Sequence, residues 1–553
     1  MQLDNDLHSV QEVRELLTKA KEAQLAFRNY SQEKVDAIVK AMADAGFAEA
    51  ERLGRLAHEE TGFGKPEDKK KKNEFATARV WESIKDLKTV GVIRVNENKT
   101  VYEIAEPMGV VAALVPSTNP TSTAMFKAII SVKGRNAIVA SPHPRAVQCT
   151  QEALRVVADA AVRAGAPQGL IACMSLPTLE GTNELMKHKL TAIILATGNM
   201  PMVRAAYSSG KPAYGVGAGN VPAFIERTAH IPKAVADIVS GKQFDYGVLC
   251  STESGVIVDT SIRQHVIDEF KKQKAYFVSA DEKEKLARTM FDQKGVLNPD
   301  VVGKSPAFIA QKSGFTVPSD TTVLIAELSE VGKTSPLSRE KLSPVLSFFT
   351  VDGWREGCHR CIEMLEFGGI GHTMVIHSSD QDIIMKFALE KPACRILVNT
   401  QSALGAVGYT NDLLPSLTLG PGTFGHSIIS NNVSAKHLIN IKRLAFETRP
   451  INKDEGTSMK NEKSVPQPII SNPKKENKPI LSTTQKTSWM DEIEERIRLK
   501  AGNAPSQNEK VKSQKEISPA TQDNSTTAVY GNEMSLDQVE QTIKKFEHTL
   551  SRK

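Results

Sequence analysis

Cysteine is scarce in this chain: six residues in 553, scattered at positions 149, 173, 250, 358, 361 and 394. That excludes a disulfide framework and points to a reducing compartment. A surplus of one charge is lacking too. Seventy Lys and Arg against 64 Asp and Glu leave +6 over the whole length, so charge makes no case for a nucleic-acid partner. No apolar run approaches the ~18 residues that a membrane helix needs. The opening MQLDNDLHSV has no basic segment followed by an apolar one. Neither a membrane span nor a secretory signal is expected, and the reading is a cytoplasmic protein. Aromatics make up 5% of the chain, and after Pro450 only Trp489, Tyr530 and Phe546 remain, among Lys, Asn, Ser, Gln, Pro and Thr. So little apolar surface cannot offset the entropy of ordering, which makes residues 451–531 an expected disordered linker.

What is present is a globular composition, 40% apolar, long enough for two or three domains. The first sixty residues read as helices: Val10, Val13, Leu16 and Leu17, then Val35, Ile38, Val39 and Met42, recur at helical spacing. The basic run Lys69 to Lys72 reads as a solvated helix face, with a phosphate contact as the alternative. From Val101 onward, short apolar runs ended by Gly, Pro or Ser (VYEIAEPMGVVAALVP, RNAIVASPHP, GLIACMSL, LTAIILATG, KPAYGVGAG) alternate with helical stretches. Strand and helix in repetition mean a parallel α/β sheet with ligands at the strand ends. ESGVIVD, TVLIAEL, PVLSFFTVD, HTMVIHS and CRILVNT repeat the pattern over 226–425, which predicts a second α/β domain.

Cys250 stands in QFDYGVLCSTESG, at a turn just before a strand-like run. Taken alone, a buried inert cysteine is the plainer reading. Cys358 and Cys361 have C-x-x-C spacing, but no second pair follows at zinc-site spacing, so they read as ordinary helix residues and no metal is expected. No G-x-G-x-x-G separates a strand from a helix.

Six further segments change the weight on Cys250: Val115-Pro-Ser-Thr118-Asn119-Pro, Ser141-Pro-His143-Pro-Arg145, Ala196-Thr197-Gly198-Asn199, Tyr214-Gly-Val-Gly217-Ala-Gly219-Asn220, Glu340-Lys-Leu-Ser-Pro344 and Gly368-Gly-Ile-Gly-His372. In this order they resemble the aldehyde dehydrogenase superfamily over residues 5–450. The likeness is nearest to its coenzyme A-acylating branch: the aldehyde dehydrogenase half of bifunctional aldehyde/alcohol dehydrogenases, and the acetaldehyde and propionaldehyde dehydrogenases of bacterial microcompartments. Lys436-His-Leu-Ile-Asn-Ile-Lys442 also looks like the bifunctional group. The resemblance implies an aldehyde dehydrogenase-like α/β fold with a variant Rossmann cofactor domain and a second α/β catalytic domain. It implies helices and an NAD-binding domain over 1–225, a catalytic domain over 226–425, and a return to the cofactor or oligomerisation region over 426–450.

The same resemblance implies roles. NAD would be held by Ser141, His143, Thr197, Gly198 and Asn199 with Gly217 and Gly219, and Glu340 would hold the nicotinamide ribose. Cys250 would be the nucleophile. Its own backbone N–H and either Thr118 or Asn119 would stabilise the oxyanion. Hydrolytic members carry a glutamate that activates water; Gly215-Val-Gly-Ala-Gly-Asn220 has no carboxylate. An external thiol, coenzyme A, becomes the acceptor, with His372 as its base because an imidazole titrates near neutral pH. The expected reaction takes a short-chain aldehyde, acetaldehyde or propionaldehyde, to an acyl-CoA and NADH. A hydrolytic dehydrogenase and an inert cargo protein are the alternatives. The resemblance also implies a homo-oligomer, a dimer or a tetramer.

Beyond the linker, Leu536, Val539, Ile543, Phe546 and Leu550 fall at steps of three and four. They predict an amphipathic helix over 532–553. It resembles the encapsulation peptides that dock enzymes on microcompartment shell proteins, which implies a location inside such a compartment. Trp489, Ile493 and Ile497 hint at a second short helix.

Overall fold

A computed structural model describes residues 4–452. The expected linker beyond its first two residues, the Trp489 segment and the expected helix over 532–553 lie outside the described residues. The chain opens with helices Asn5–Phe27, Gln32–Ala48 and Ala50–Thr61. Asp4 starts the first by accepting the Leu7 N–H at 2.9 Å, which satisfies a donor that the helix cannot pair internally. Val13 and Leu17, then Val35, Ile38, Val39 and Met42, are fully buried, as their spacing requires.

These helices share a core with a five-stranded parallel sheet, ordered Ile171–Cys173, Ala137–Pro142, Val110–Val115, Thr191–Thr197, Ala213–Val216. The chain winds outward to one side of Val110–Val115 and then to the other. The carboxyl ends of Val110–Val115 and Thr191–Thr197 therefore flank a switch point, where ligands bind in open α/β sheets. Lys127 fastens this point: its buried ammonium donates to the carbonyls of Leu114 (2.7 Å) and Leu195 (2.8 Å).

A second parallel sheet has seven strands, ordered Tyr276–Phe277, Leu324–Glu327, Val345–Val351, Glu253–Asp259, Val221–Ile225, Met374–His377, Ile396–Val398. Its central strand, Glu253–Asp259, is buried along its whole length, as a strand covered on both faces must be. Val221–Ile225 belongs to this sheet, so the second layer begins a few residues before the expected division at 225/226.

The run from Val101 to Pro116 does not stay in one sheet. Val101–Pro107 leaves the parallel layer and pairs antiparallel with Gly91–Val95 on one side and Ile439–Ala445 on the other. Gly109, at φ 134°, makes the turn between the two sheets. Alternation alone does not reveal this, because Val101–Pro107 has the composition of the strand that follows it. No helix among the described residues is long and apolar enough to cross a membrane.

Candidate active site

The first and second sheets are joined directly by residues 217–220, between Ala213–Val216 and Val221–Ile225. The carboxyl edge of the first sheet supplies Thr118 and Asn119, Ser141 and His143, and the Thr197–Asn199 turn. The amino edge of the second supplies Gly219, Cys250, Glu340 and His372, each just before a strand.

Three of the second set are packed together. A Cβ on Gly219 would lie 1.8 Å from the Cys250 carbonyl oxygen and 3.4 Å from His372 Nδ1. Only a bare backbone fits there. The Gly219 N–H donates to Glu340 Oε1 at 2.8 Å, so Glu340 braces the nucleophile's neighbour. Burial raises the Glu340 carboxyl to about 7 against the pull of that N–H.

Cys250 is half-buried. Its apolar surroundings, and then the Glu340 carboxylate, push the thiol up to about 12, while the Arg395 guanidinium works the other way. Arg395 is a buried cation with no carboxylate partner among the described residues. It donates instead to the carbonyls of His372 (2.6 Å) and Gly420 (2.8 Å). His372 is fully buried; its Nδ1 meets Thr373 Oγ1 at 2.9 Å and its Nε2 has no partner. Burial, then Arg395, holds the ring down at about 3. The near-neutral titration expected from sequence is therefore displaced: His372 is a neutral imidazole throughout the physiological range.

On the first sheet, Asn119 is the residue before helix Pro120–Lys133. Its Oδ1 accepts from Lys72 Nζ at 2.5 Å and its Nδ2 donates to Thr118 Oγ1 at 3.2 Å. The solvated-face reading of Lys69–Lys72 is corrected here. Lys69 and Lys72 are 2% and 4% exposed, because three residues apart on helix Pro66–Glu74 they share its inward face; Lys70 and Lys71 are on the outer side. Ser141 is buried and its Oγ meets Thr182 Oγ1 at 2.8 Å. His143 is exposed, with Nδ1 accepting the Arg145 N–H at 3.1 Å. Asn199 caps helix Met200–Tyr207 by accepting the Met202 N–H at 3.0 Å. Thr197 Oγ1 is buried without a partner, an unsatisfied hydroxyl at the switch point. That hydroxyl, the small residues Gly198 and Gly217, and the N–H groups of the helix start fit a dinucleotide's sugars and phosphates.

Next to Cys250 in sequence, Leu249 joins Phe75, Phe244, Leu404, Val407, Tyr409 and Leu417 in lining a narrow, mainly apolar pocket, with Lys71 and Lys72 also in its wall. Cys358 and Cys361 lie buried in helix Gly353–Gly368. Sequence reasoning missed Lys72, Asp245 and Arg395. The three-residue spacing of Lys69 and Lys72 was a signal for one of them; nothing in the local sequence marks Arg395.

Residues 5–288 match the family model described as the aldehyde dehydrogenase family. The chain is similar to aldehyde-alcohol dehydrogenase 2 of Entamoeba histolytica, 46% identical over 425 residues, which cover 75% of this chain and 49% of that protein. It spans about half the length of the aldehyde-alcohol dehydrogenases that it matches. Among solved structures it is similar to an acetylating aldehyde dehydrogenase from Geobacillus thermoglucosidasius, with 52% identity, a TM-score of 0.80, and coverage of 82% of this chain and 100% of that one. It is also similar to a propionaldehyde dehydrogenase from Rhodopseudomonas palustris solved with coenzyme A and an acylated cysteine. That match has 28% identity, a TM-score of 0.71, and coverage of 78% and 97%.

Proposed function

The chain belongs to the aldehyde dehydrogenase family, and from that membership we propose that it oxidises a short-chain aldehyde with NAD and coenzyme A to an acyl-CoA. Cys250 Sγ, as thiolate, attacks the aldehyde carbon. The Cys250 backbone N–H and the Thr118–Asn119 loop stabilise the resulting hemithioacetal oxyanion. When bound, the nicotinamide cofactor supplies the hydride acceptor that this oxidation requires. The apolar pocket by Leu249 and Phe244 takes the aldehyde's short chain, acetaldehyde or propionaldehyde. Thr197, Gly198, Asn199, Ser141, His143 and Gly217 form the cofactor edge, with Glu340 nearest the nucleophile. The acyl group held as a thioester on Cys250 transfers to the sulfur of coenzyme A, which enters as thiolate, and Cys250 leaves as thiolate. His372, held down at about 3 by burial, is too weak a base to take up the proton.

The observation that carries the acylating reading is the bare turn over 217–220. Gly219 leaves no room for any side chain beside the Cys250 carbonyl, and none of these residues is a carboxylate. The nearby Glu340 is already accepting the Gly219 N–H. Water thus lacks a positioned base, whereas a strong external thiol does not need one. The test is NADH formation from acetaldehyde and propionaldehyde with and without coenzyme A. Sustained turnover only with coenzyme A supports the reading; steady acid release without it overturns the reading.

Two further parts of the proposal concern assembly. Val92, Val95, Ile441, Leu444 and Phe446 are exposed on and beside the three-stranded sheet, which favours a homo-oligomer joined through that sheet. The five-residue apolar stripe over 536–550 favours docking on a microcompartment shell protein.

A further inference from the structure

Two buried lysines lie beneath the loop assigned to the oxyanion. Lys69 Nζ is 3.2 Å from Asp245 Oδ2, and Lys72 Nζ contacts the same oxygen. Lys69 also reaches the Thr118 carbonyl (3.4 Å), and Lys72 reaches Asn119 Oδ1 (2.5 Å). Asp245 is completely buried and held on every side. Its Oδ1 accepts the Lys65 N–H at 2.6 Å, and its own N–H donates to Asp68 Oδ2 at 2.9 Å. Asp245 and Tyr246 both adopt left-handed backbone, at φ 48° and 50°, which non-glycine residues adopt only when their surroundings hold them there. Five residues later comes Cys250. Helix Pro66–Glu74 thus ties the nucleophile's segment to the Asn119 loop.

The chemistry of these partners fixes a polarity. A side-chain amide has an acceptor end and a donor end of nearly equal shape. An ammonium has three donors and no acceptor, so it tolerates only the oxygen of Asn119. The NH2 must then face away from Lys72. One of its hydrogens is used by Thr118 Oγ1, and the other remains for a ligand. The charged donor on its oxygen also polarises the amide and strengthens its N–H as a donor.

We propose that Lys72, anchored on Asp245, is a positioning residue for oxyanion binding: it holds the Asn119 amide so that an N–H, never the carbonyl oxygen, faces the hemithioacetal oxygen. This assignment rests on the acylating reading and selects Asn119 over Thr118 as the side-chain donor. The groups facing Lys72 are Asp245, Lys69 and Asp68. Burial, opposed by Asp245 and aided by Lys69, brings its ammonium down to about 8. Above that pH the neutral amine can accept as well as donate, and the amide is free to turn over.

The test is a double-mutant cycle of Lys72→Met and Asn119→Ala on the full chain, read by the single-turnover burst of NADH with propionaldehyde. Each single change should slow the burst by about 100-fold, the loss seen when one oxyanion donor is removed. In the Asn119→Ala background, Lys72→Met should add no more than about threefold, because the residue it positions is gone. Alkylation of Cys250 by iodoacetamide, which uses no oxyanion donor, should change by less than about threefold. Lys72→Arg, which cannot lose its proton in this range, should restore most of the burst and remove the decline above pH 8 that the wild-type burst shows once divided by the rate of Cys250 alkylation at the same pH. If Lys72→Met does not fold, Lys72→Gln, whose own amide can meet either end of Asn119, takes its place in the cycle. Equal losses with and without Asn119, or a matching loss in alkylation, overturn the assignment while leaving the acylating reading intact. A wild-type chain that gives no aldehyde-dependent NADH overturns both.

Discussion

Replacing Gly219 with alanine adds one methyl group and no charge, yet it should nearly silence the protein. The backbone of Gly219 is not in the left-handed region, so alanine meets no intrinsic conformational penalty. The obstacle is space. The new Cβ would lie 1.8 Å from the Cys250 carbonyl oxygen, more than an ångström short of the 3.0 Å below which such contacts are essentially never seen. The Cβ has its position fixed by the backbone and the oxygen belongs to the backbone, so no side chain can rotate out of the way. Either the 217–220 link or the Cys250 turn must move by about an ångström. Overpacking of this kind costs ~1–3 kcal/mol of stability, and a misplacement of ~1 Å at a reacting group costs about 100-fold in rate. Stopped-flow measurement of the NADH burst, beside a denaturant melt, separates the two effects. Gly255→Ala is the comparison: its Cβ would press on the flexible Met364 thioether at 2.7 Å, so it should lose stability yet keep its burst rate. A Gly219→Ala burst within threefold of wild type refutes the claim that this close approach aligns the nucleophile.

The remaining expectations are simpler. Cys250→Ala should abolish aldehyde oxidation while cofactor binding, followed by fluorescence, persists; residual activity above a few per cent sinks the nucleophile assignment. Without coenzyme A, mass spectrometry should find an acyl adduct accumulating on Cys250 after aldehyde and NAD, and rapid acid release speaks against it. The thiol's upward displacement to about 12 means that its thiolate fraction keeps growing as pH rises. Alkylation of the resting enzyme should therefore climb about tenfold per pH unit through pH 9, and a plateau below pH 9 contradicts the burial argument. Deleting residues 532–553 should leave kinetics unchanged and release the protein from co-expressed shells, whereas a slower catalytic rate would place that segment on the enzyme.

Much of this was legible in sequence because burial leaves a local signature. Val110–Val115 is apolar throughout since both of its faces are covered, and Val35, Ile38, Val39 and Met42 mark one helical face. The motif order named Cys250, Gly219, Glu340 and His372, which the fold brings to one edge of the second sheet, each ahead of a strand. Val101–Pro107 shows what a period cannot decide: which partner a strand takes. Lys72 and Asp245 are 173 residues apart, so nothing near the lysine run announced a buried counter-ion, and four consecutive lysines most often face water. The near-neutral titration expected of His372 was out of reach for a related reason. Its ordinary titration range holds only in solvent, and its burial against Arg395 is a property of packing.

Strand Ile439–Ala445 completes the sheet begun by Val101–Pro107, across 333 residues between Asn440 and Pro107. Just ahead of it, the Leu438 carbonyl accepts from Asn136 at 2.8 Å and the His437 carbonyl from Tyr214 at 3.1 Å. Translation delivers ~5–20 residues per second, so a nascent chain waits on the order of 20–70 s with one edge of Val101–Pro107 unpaired. During that interval the edge can accept a strand from any neighbouring copy on the same messenger. Yield in cells should therefore depend on ribosome spacing and chaperone supply as well as on the stability of the finished fold. Slowing initiation, so that nascent copies are fewer and farther apart, should raise the soluble fraction without altering the sequence.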